Sequence, residues 1–301
     1  MAFFGLHPFA ASTLNFCKLS TGRLFINFEG KNYLRYSDDN GASWNAVKSL
    51  GPHQFQDVIS TPADELYAFT ISEATFHSTD GGQTWTALTV PPFNVDQISS
   101  AEYSLSGKLL VATQHNSVFI SSDKGQTWLT VPLSQFIAPN STGSDDGFGT
   151  FTEDKTGNLY VDGAEGGMLY TSANAGITWS AIVPPIVPPS QEAVLGMYID
   201  NNNWFYKSRF DYNGGIYLSK DGGATYSLLY SASDSFIGNT SVQSDGNLYF
   251  SMLGALYKAN GISNSVKKIF DYQQNGFVPY IVAKNGDAIA ANSFATYFLT
   301  K

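Results

Sequence analysis

The chain has 301 residues, of which 43% are hydrophobic, 15% aromatic and only 14% charged, a balance that suits many short strands better than helices. A net charge of −9 without a basic run argues against a nucleic-acid partner and against an anionic membrane surface. The single cysteine, Cys17, excludes an internal disulfide and a cysteine-rich metal site, and no apolar run is long enough to insert into a membrane.

The first segment, residues 1–11, is apolar but has no Lys or Arg and is interrupted by Pro8, so it does not match an intact signal peptide. The richness of the chain in Asn, Ser, Thr, Gly and Tyr favours an exported protein. We therefore expect the mature part of a secreted or periplasmic protein whose signal has been removed.

A short turn followed by an apolar strand recurs along the whole chain. Its seven copies lie 42, 43, 50, 45, 44 and 40 residues apart. They begin at Gly22, Asp64, Gly107, Gly157, Asn202, Gly246 and Gly286. A spacing of this kind is typical of a repeat protein built from one supersecondary unit.

A second motif reads Ser, any residue, Asp, any residue, Gly, two further residues and an aromatic. Its five copies run from Ser37, Ser78, Ser121, Ser172 and Ser219 to Trp44, Trp85, Trp128, Trp179 and Tyr226, with Asn174 in place of Asp in the fourth. The Gly can take the positive φ of a tight turn, and the Asp can accept backbone N–H groups. We expect these Asp residues to form turns rather than to act as catalysts or metal ligands, and the tryptophans to pack between repeats.

Each unit is predicted to be a four-stranded antiparallel meander. In the third unit the strands are expected at residues 95–103, 109–113, 117–121 and 127–131. The seventh unit has only three, at residues 279–283, 287–291 and 295–299, and we expect Ala2–Leu6 to join it and close the ring. The predicted fold is all-β, a seven-bladed propeller that forms a single domain over residues 1–301.

The Ser-x-Asp-x-Gly motif resembles the Asp-box, or BNR, repeat, and the whole chain is similar to the Asp-box β-propellers of the sialidase-like and sortilin-like superfamily. That group includes sialidases, xyloglucanases, the sortilin ectodomain and photosystem-assembly propellers. The resemblance covers all seven units, five of them with a recognisable box. It implies the fold and no one function, since a common fold hosts many functions.

The predicted meander separates two faces of the ring. The turns between strands one and two and the Asp-box corners lie on one face, which we call the corner face. The loops between strands two and three and the links between blades lie on the other, the loop face. Blades four and five are the longest, and their additional residues, 134–149 and 207–214, fall on the loop face, where extra length favours a binding site.

This sector of the loop face supplies the candidate ligand-binding residues. They are Asp145, Asp146, Glu165, Glu192, Arg209, Asp211 and Tyr212. Arg209 offers a planar fork for a carboxylate or vicinal hydroxyls, and Tyr212 offers a stacking surface. The acids can accept hydrogen bonds from hydroxyl groups.

The leading functional hypothesis is a non-catalytic propeller that binds a glycan or a protein partner on the loop face. One alternative is a glycoside hydrolase of non-sialidase type that uses two loop carboxylates, with Asp146, Glu192 and Asp211 as weak catalytic candidates. The other alternative is an assembly or scaffold factor. Sialidase activity is disfavoured because only three arginines are present, and of these only Arg209 lies in a candidate loop.

Metal and cofactor chemistry has little support in the sequence. The four histidines do not cluster, there is no HExxH or zinc spacing, and the phosphate-binding patterns GxxxxGK[ST] and GxGxxG are absent. We expect no metal, no cofactor and a monomeric protein.

Overall fold

The computed structural model describes most of the chain, and the structural statements that follow concern these residues. The ranges are 16–27, 33–70, 74–88, 91–92, 98–113, 117–132, 148–163, 169–182, 194–200, 202–209, 214–232, 237–243, 247–271, 280–282, 288–291 and 296–299. Within them the regular elements are 27 β-strands. No helix of these ranges is long and apolar enough to cross a membrane.

The first three blades follow one another along the first half of the chain. Blade one contains β1 (Phe16–Lys18), β2 (Leu24–Ile26), β3 (Arg35–Ser37) and β4 (Asn45–Ala46). Blade two contains β5 (Phe55–Ser60), β6 (Leu66–Thr70), β7 (Phe76–Ser78) and β8 (Thr86–Ala87). Blade three contains β9 (Ile98–Tyr103), β10 (Leu109–Thr113), β11 (Ser117–Ser121) and β12 (Leu129–Pro132).

The second half of the chain repeats this arrangement. Blade four contains β13 (Phe148–Glu153), β14 (Leu159–Gly163), β15 (Leu169–Ser172) and β16 (Ser180–Ile182). Blade five contains β17 (Val194–Ile199), β18 (Phe205–Arg209), β19 (Gly215–Ser219) and β20 (Ser227–Ser231). Blade six contains β21 (Gly238–Val242), β22 (Leu248–Met252), β23 (Ala255–Asn260) and β24 (Ser265–Asp271). A final sheet contains β25 (Tyr280–Val282), β26 (Ala288–Ala291) and β27 (Thr296–Leu299).

Every sheet is an antiparallel meander in which consecutive strands pair. The first strands of neighbouring blades contact one another from β1 through β21, and β1 also contacts β25. The first strands therefore lie innermost, and the sheets are arranged radially around them. This confirms an all-β propeller with antiparallel blades and places the two faces as the meander requires.

The predicted number of seven blades is wrong. Among the described residues the structure forms six four-stranded blades, and the last sheet has three strands. The repeat count rests on seven turn elements, whereas a four-stranded blade requires four paired strands, and only three strands pair in the last sheet of the described residues. The predicted closing strand, Ala2–Leu6, lies outside the described residues.

The hydrophobic core is divided into clusters that lie between adjacent blades. One cluster joins Leu110 and Val118 of blade three to Phe151 of blade four, and corresponding clusters lie at the other interfaces from blade one to blade six. Three motif tryptophans pack against these clusters, namely Trp85, Trp128 and Trp179. Packing between blades was the role predicted for them, and the structure confirms it.

Candidate functional site

The corner face is built from turns that satisfy their own polar groups. In the third corner the Ser121 hydroxyl accepts the Gly125 N–H at 2.8 Å and donates to Asp123 Oδ1 at 2.8 Å, while the other side of the Asp123 carboxylate accepts the Thr127 hydroxyl at 2.5 Å. The same Ser-to-Gly bond, 2.7–2.9 Å long, closes all five corners. The predicted turn-forming role of the motif is confirmed.

The carboxylates of these corners are held ionised by the same bonds. Hydrogen bonds from Thr84, first through its hydroxyl and then through its backbone N–H, lower the pKa of Asp80 to about 2. The Thr225 hydroxyl does the same for Asp221, and the Thr127 hydroxyl lowers the pKa of Asp123. An acid with a lowered pKa is a poor proton donor near neutral pH, so the corners are unsuited to acid catalysis.

Ion pairs on the corner face join one blade to the next. Glu153 of blade four accepts the Ser106 N–H at 2.7 Å, the Ser106 hydroxyl at 2.6 Å and the Lys108 ammonium at 2.9 Å, all from the first turn of blade three. Glu65 of blade two similarly contacts Lys124 of blade three at 2.7 Å. These charged groups therefore take part in holding neighbouring blades together.

Most of the predicted site residues fall outside the described ranges. These residues are Asp145, Asp146, Glu165, Glu192, Asp211 and Tyr212. The backbone of Arg209 is described: it forms the loop-face end of β18, opposite Val194 of β17 and Gly215 of β19. The predicted site therefore stays a prediction. The described residues show the strand ends that lie next to the predicted loops.

A β-bulge interrupts the first strand at its loop-face end in five blades. The register shifts lie at Phe55/Asp57, between Ile98 and Ser100, at Phe148/Phe151, at Val194/Gly196 and at Gly238/Ser241. Bulges are common at the rims of barrels and beside active sites, where they redirect the chain. Because the bulges recur at the same end of the first strands, the chain is redirected in five blades at the loop-face rim around the innermost strands.

Side-chain hydrogen bonds stabilise four of these bulges. The Asn27 amide donates to the Phe55 carbonyl at 2.8 Å, and Gln56 Oε1 accepts the Ile98 N–H at 2.5 Å, both across a blade interface. In blade six the Ser251 hydroxyl donates to the Gly238 carbonyl at 2.9 Å. In blade four the fastening group is a carboxylate, because Asp162 Oδ1 accepts the Thr150 N–H at 2.5 Å.

Asp162 belongs to a buried polar cluster between blades four and five. It is 2% exposed and interacts electrostatically with Lys207 of β18, which is 8% exposed. Burial raises the pKa of Asp162 to about 7, against the opposing effects of Lys207 and the Thr150 N–H. Lys207 Nζ lies 4.9 Å from the ring centroid of Tyr226, and burial followed by the charge of Asp162 raises the pKa of both Tyr198 and Tyr226.

A second perturbed acid lies at the neighbouring interface, between blades three and four. Glu102 of β9 accepts the Thr152 hydroxyl at 3.1 Å, and burial raises the pKa of its carboxyl to about 8. Within the part of the chain that the structure describes, no group of three or more His, Cys, Asp or Glu side chains could hold a metal ion.

Sequence reasoning missed Asp162 and Lys207 as members of a site. Lys207 occupies a second-strand position that is apolar in the other four-stranded blades, such as Val111 in blade three. The position of Asp162 is polar in three other blades, where it holds Asn27, Ser208 and Ser251. The charge of Lys207 among apolar counterparts was the available signal, whereas a polar residue at the position of Asp162 recurs along the chain. Its meaning depends on contacts across a blade interface, which periodicity does not reveal.

The chain belongs to the family of the DUF6242 beta propeller domain, whose model matches residues 5–207. It matches no curated protein. Among solved structures it is similar to YCF48 from Cyanidioschyzon merolae, with a TM-score of 0.67, 12% identity and coverage of 92% of this chain and 91% of that one.

Two further solved structures are similar. The extracellular domain of the one component system BT4673 from B. thetaiotaomicron has a TM-score of 0.67 and 11% identity, with 94% of this chain and 37% of that chain covered. YCF48 bound to D1 peptide has a TM-score of 0.59 and 15% identity, with 80% and 75% covered. At these identities the likeness shows the β-propeller fold alone. The sialidase-like superfamily is not confirmed by these matches.

Proposed function

We propose that the chain is a non-catalytic propeller that binds a protein partner or a glycan on its loop face. The observation that carries this proposal is the row of five bulges at the loop-face end of the first strands. They shape the rim from which the long connections of blades four and five depart. The opposite face is built of turns whose Ser and Asp side chains bond within the turn, and of ion pairs between blades.

A protein segment is the partner that the structural likenesses favour. One similar structure holds a peptide, and another is an extracellular domain. The likeness to an extracellular domain also supports an exported location, secreted or periplasmic, for this chain. We further propose that the corners are Asp-boxes of the BNR type and that residues 1–301 form one domain, acting as a monomer.

The proposed contact residues are those predicted from loop length. They are Asp145, Asp146, Glu165, Glu192, Arg209, Asp211 and Tyr212. In this proposal Arg209 binds a carboxylate or vicinal hydroxyls, Tyr212 stacks on an apolar or sugar surface, and the acids accept hydrogen bonds.

Binding screens with face-specific variants test the proposal. The folded protein is screened against a peptide array and a glycan array, and every hit is measured again with Arg209→Ala and Tyr212→Ala. Leu105→Ala, at an exposed position on a corner-face turn, is the matched control. We expect the two loop-face variants to weaken binding about tenfold or more and the control to bind as the parent does. Equal loss in all three variants, or in none, contradicts a loop-face site.

One observation favours a second candidate, a glycoside hydrolase of non-sialidase type. Asp162 is a buried carboxyl with a pKa of about 7 at the base of the same sector, and a proton donor near neutral pH is what such an enzyme requires. Incubation with a polysaccharide panel separates the candidates, because a hydrolase releases product. Glu192→Gln, which keeps its shape but cannot exchange a proton, would then abolish release if Glu192 is catalytic.

A further inference from the structure

We propose that Asp162 and Lys207 form a proton-controlled latch on the loop-face rim, which holds the start of β13 tightly when Asp162 is ionised and loosely when it is protonated. The latch lies between blades four and five, the two blades with the longest connections. It goes beyond partner binding, because it describes a property of the free protein.

A hydrogen bond to Thr150 and an electrostatic interaction with Lys207 connect three strands through the carboxyl group of Asp162. Asp162, near the loop-face end of β14, accepts the Thr150 N–H at 2.5 Å within the bulge at Phe148/Phe151. The same carboxyl interacts electrostatically with Lys207 of β18 in the next blade. Both side chains are more than nine-tenths buried, so water does not screen the pair strongly.

Other blades show that the fold does not require a charge at such a bulge. The amides of Asn27 and Gln56 and the hydroxyl of Ser251 fasten the rims of blades two, three and six with neutral groups. An asparagine at position 162 could accept the Thr150 N–H in the same manner. A carboxylate with a buried lysine opposite is therefore a feature of blade four that packing alone does not explain.

The groups around Asp162 allow it to change charge near neutral pH. Burial raises its pKa to about 7, while Lys207 of β18 opposes the rise. Asp162 also interacts with Tyr198 of β17 and Tyr226 before β20. Burial first, and then the charge of Asp162, raise the pKa of both tyrosines further above the neutral range, so both stay uncharged. Thr150 of β13 contributes only its neutral N–H and hydroxyl.

Protonation of Asp162 weakens the interactions that form the latch. An ionised carboxylate accepts a charge-assisted hydrogen bond from Thr150 and balances the buried ammonium of Lys207, whereas a neutral carboxyl does neither to the same extent. The segments that lead from β13 and β14 into the loop face begin at this point. Loosening of the latch is therefore expected to loosen the ends of β13 and β14 from which those connections start.

Amide hydrogen exchange measured by NMR tests the latch without any partner. In the parent protein we expect the protection factor of the Thr150 amide to fall about tenfold between pH 8 and pH 6. The matched control is the Ile98 amide, which donates to the neutral Gln56 Oε1 at the same distance of 2.5 Å. Its protection factor should not change over this pH range. In Asp162→Asn the protection of Thr150 should be the same at both pH values.

Lys207→Met provides an independent test, and it decides the matter if Asp162→Asn does not fold. Since the lysine charge lowers the pKa of Asp162, its removal should move the loss of Thr150 protection to higher pH. The proposal is overturned if Thr150 and Ile98 share one pH profile in the parent protein. It is equally overturned if Asp162→Asn retains the parent profile, or if Lys207→Met leaves the midpoint unchanged.

Discussion

The Glu153 bridge between blades three and four offers a direct test of how the ring is held together. Its carboxylate accepts three hydrogen bonds, two from Ser106 and one from Lys108, and the Glu153 side chain is fully buried. Burial raises the pKa of this carboxyl, but the bonds from Ser106 and Lys108 outweigh burial and hold it below its ordinary value of 4.5. The folded protein therefore favours the ionised form.

Glu153→Gln removes the charge and keeps the shape. The Lys108 ammonium, whose side chain is 16% exposed, then lacks its counter-charge, and the loss of one partner of a buried pair costs about 3 kcal/mol. At about 2 °C for each kcal/mol in a chain of this size, Tm should fall by about 6 °C. Thermal unfolding followed by circular dichroism at pH 7 measures the change.

The matched control is the exposed pair between Lys268 and Asp271, whose atoms are also 2.9 Å apart but whose side chains are about half exposed. Asp271→Asn should lower Tm much less than Glu153→Gln does, because solvent screens the pair. Because the pKa of Glu153 is lowered on folding, its contribution is present above about pH 4.5 and is lost as the pH falls through the folded-state pKa. Equal Tm losses in both variants at pH 7 would refute the reasoning.

Three further predictions concern single side chains. Ser121→Ala should cost about 1–3 kcal/mol, measured by urea unfolding, because the buried Gly125 N–H loses its acceptor. Gly176→Ala should destabilise the protein by about 1–3 kcal/mol more than Gly157→Ala does. Both glycines have positive φ, but of the two only Gly176 has a neighbouring side chain that the added Cβ would overlap. Equal losses of stability in the two variants would contradict this. Relative to Glu102→Gln, the free energy of unfolding of the parent should fall by about 1–3 kcal/mol between pH 5 and pH 8, because Glu102 ionises at lower pH in the unfolded chain than in the folded one. A difference between the two proteins that does not change with pH would contradict this.

The repeated local structure could be predicted from the sequence, because each corner is stabilised within eight residues. The third unit has its strands within a few residues of the predicted positions, and the final unit has its three strands as predicted. The corner Asp residues accept the turn N–H groups expected of them. These features depend on neighbours in sequence, so a pattern of residue types is sufficient to indicate them.

The number of four-stranded blades and the base of the candidate site were decided only by tertiary structure. A turn can be counted in a sequence, but a blade exists only where four strands pair, which is why seven units give six four-stranded blades. The bulges of the first strands, and the burial of Asp162 against Lys207, arise where one blade packs on the next. Burial and charge at such an interface set the pKa of a side chain, and both depend on residues that are 45 positions apart in the chain.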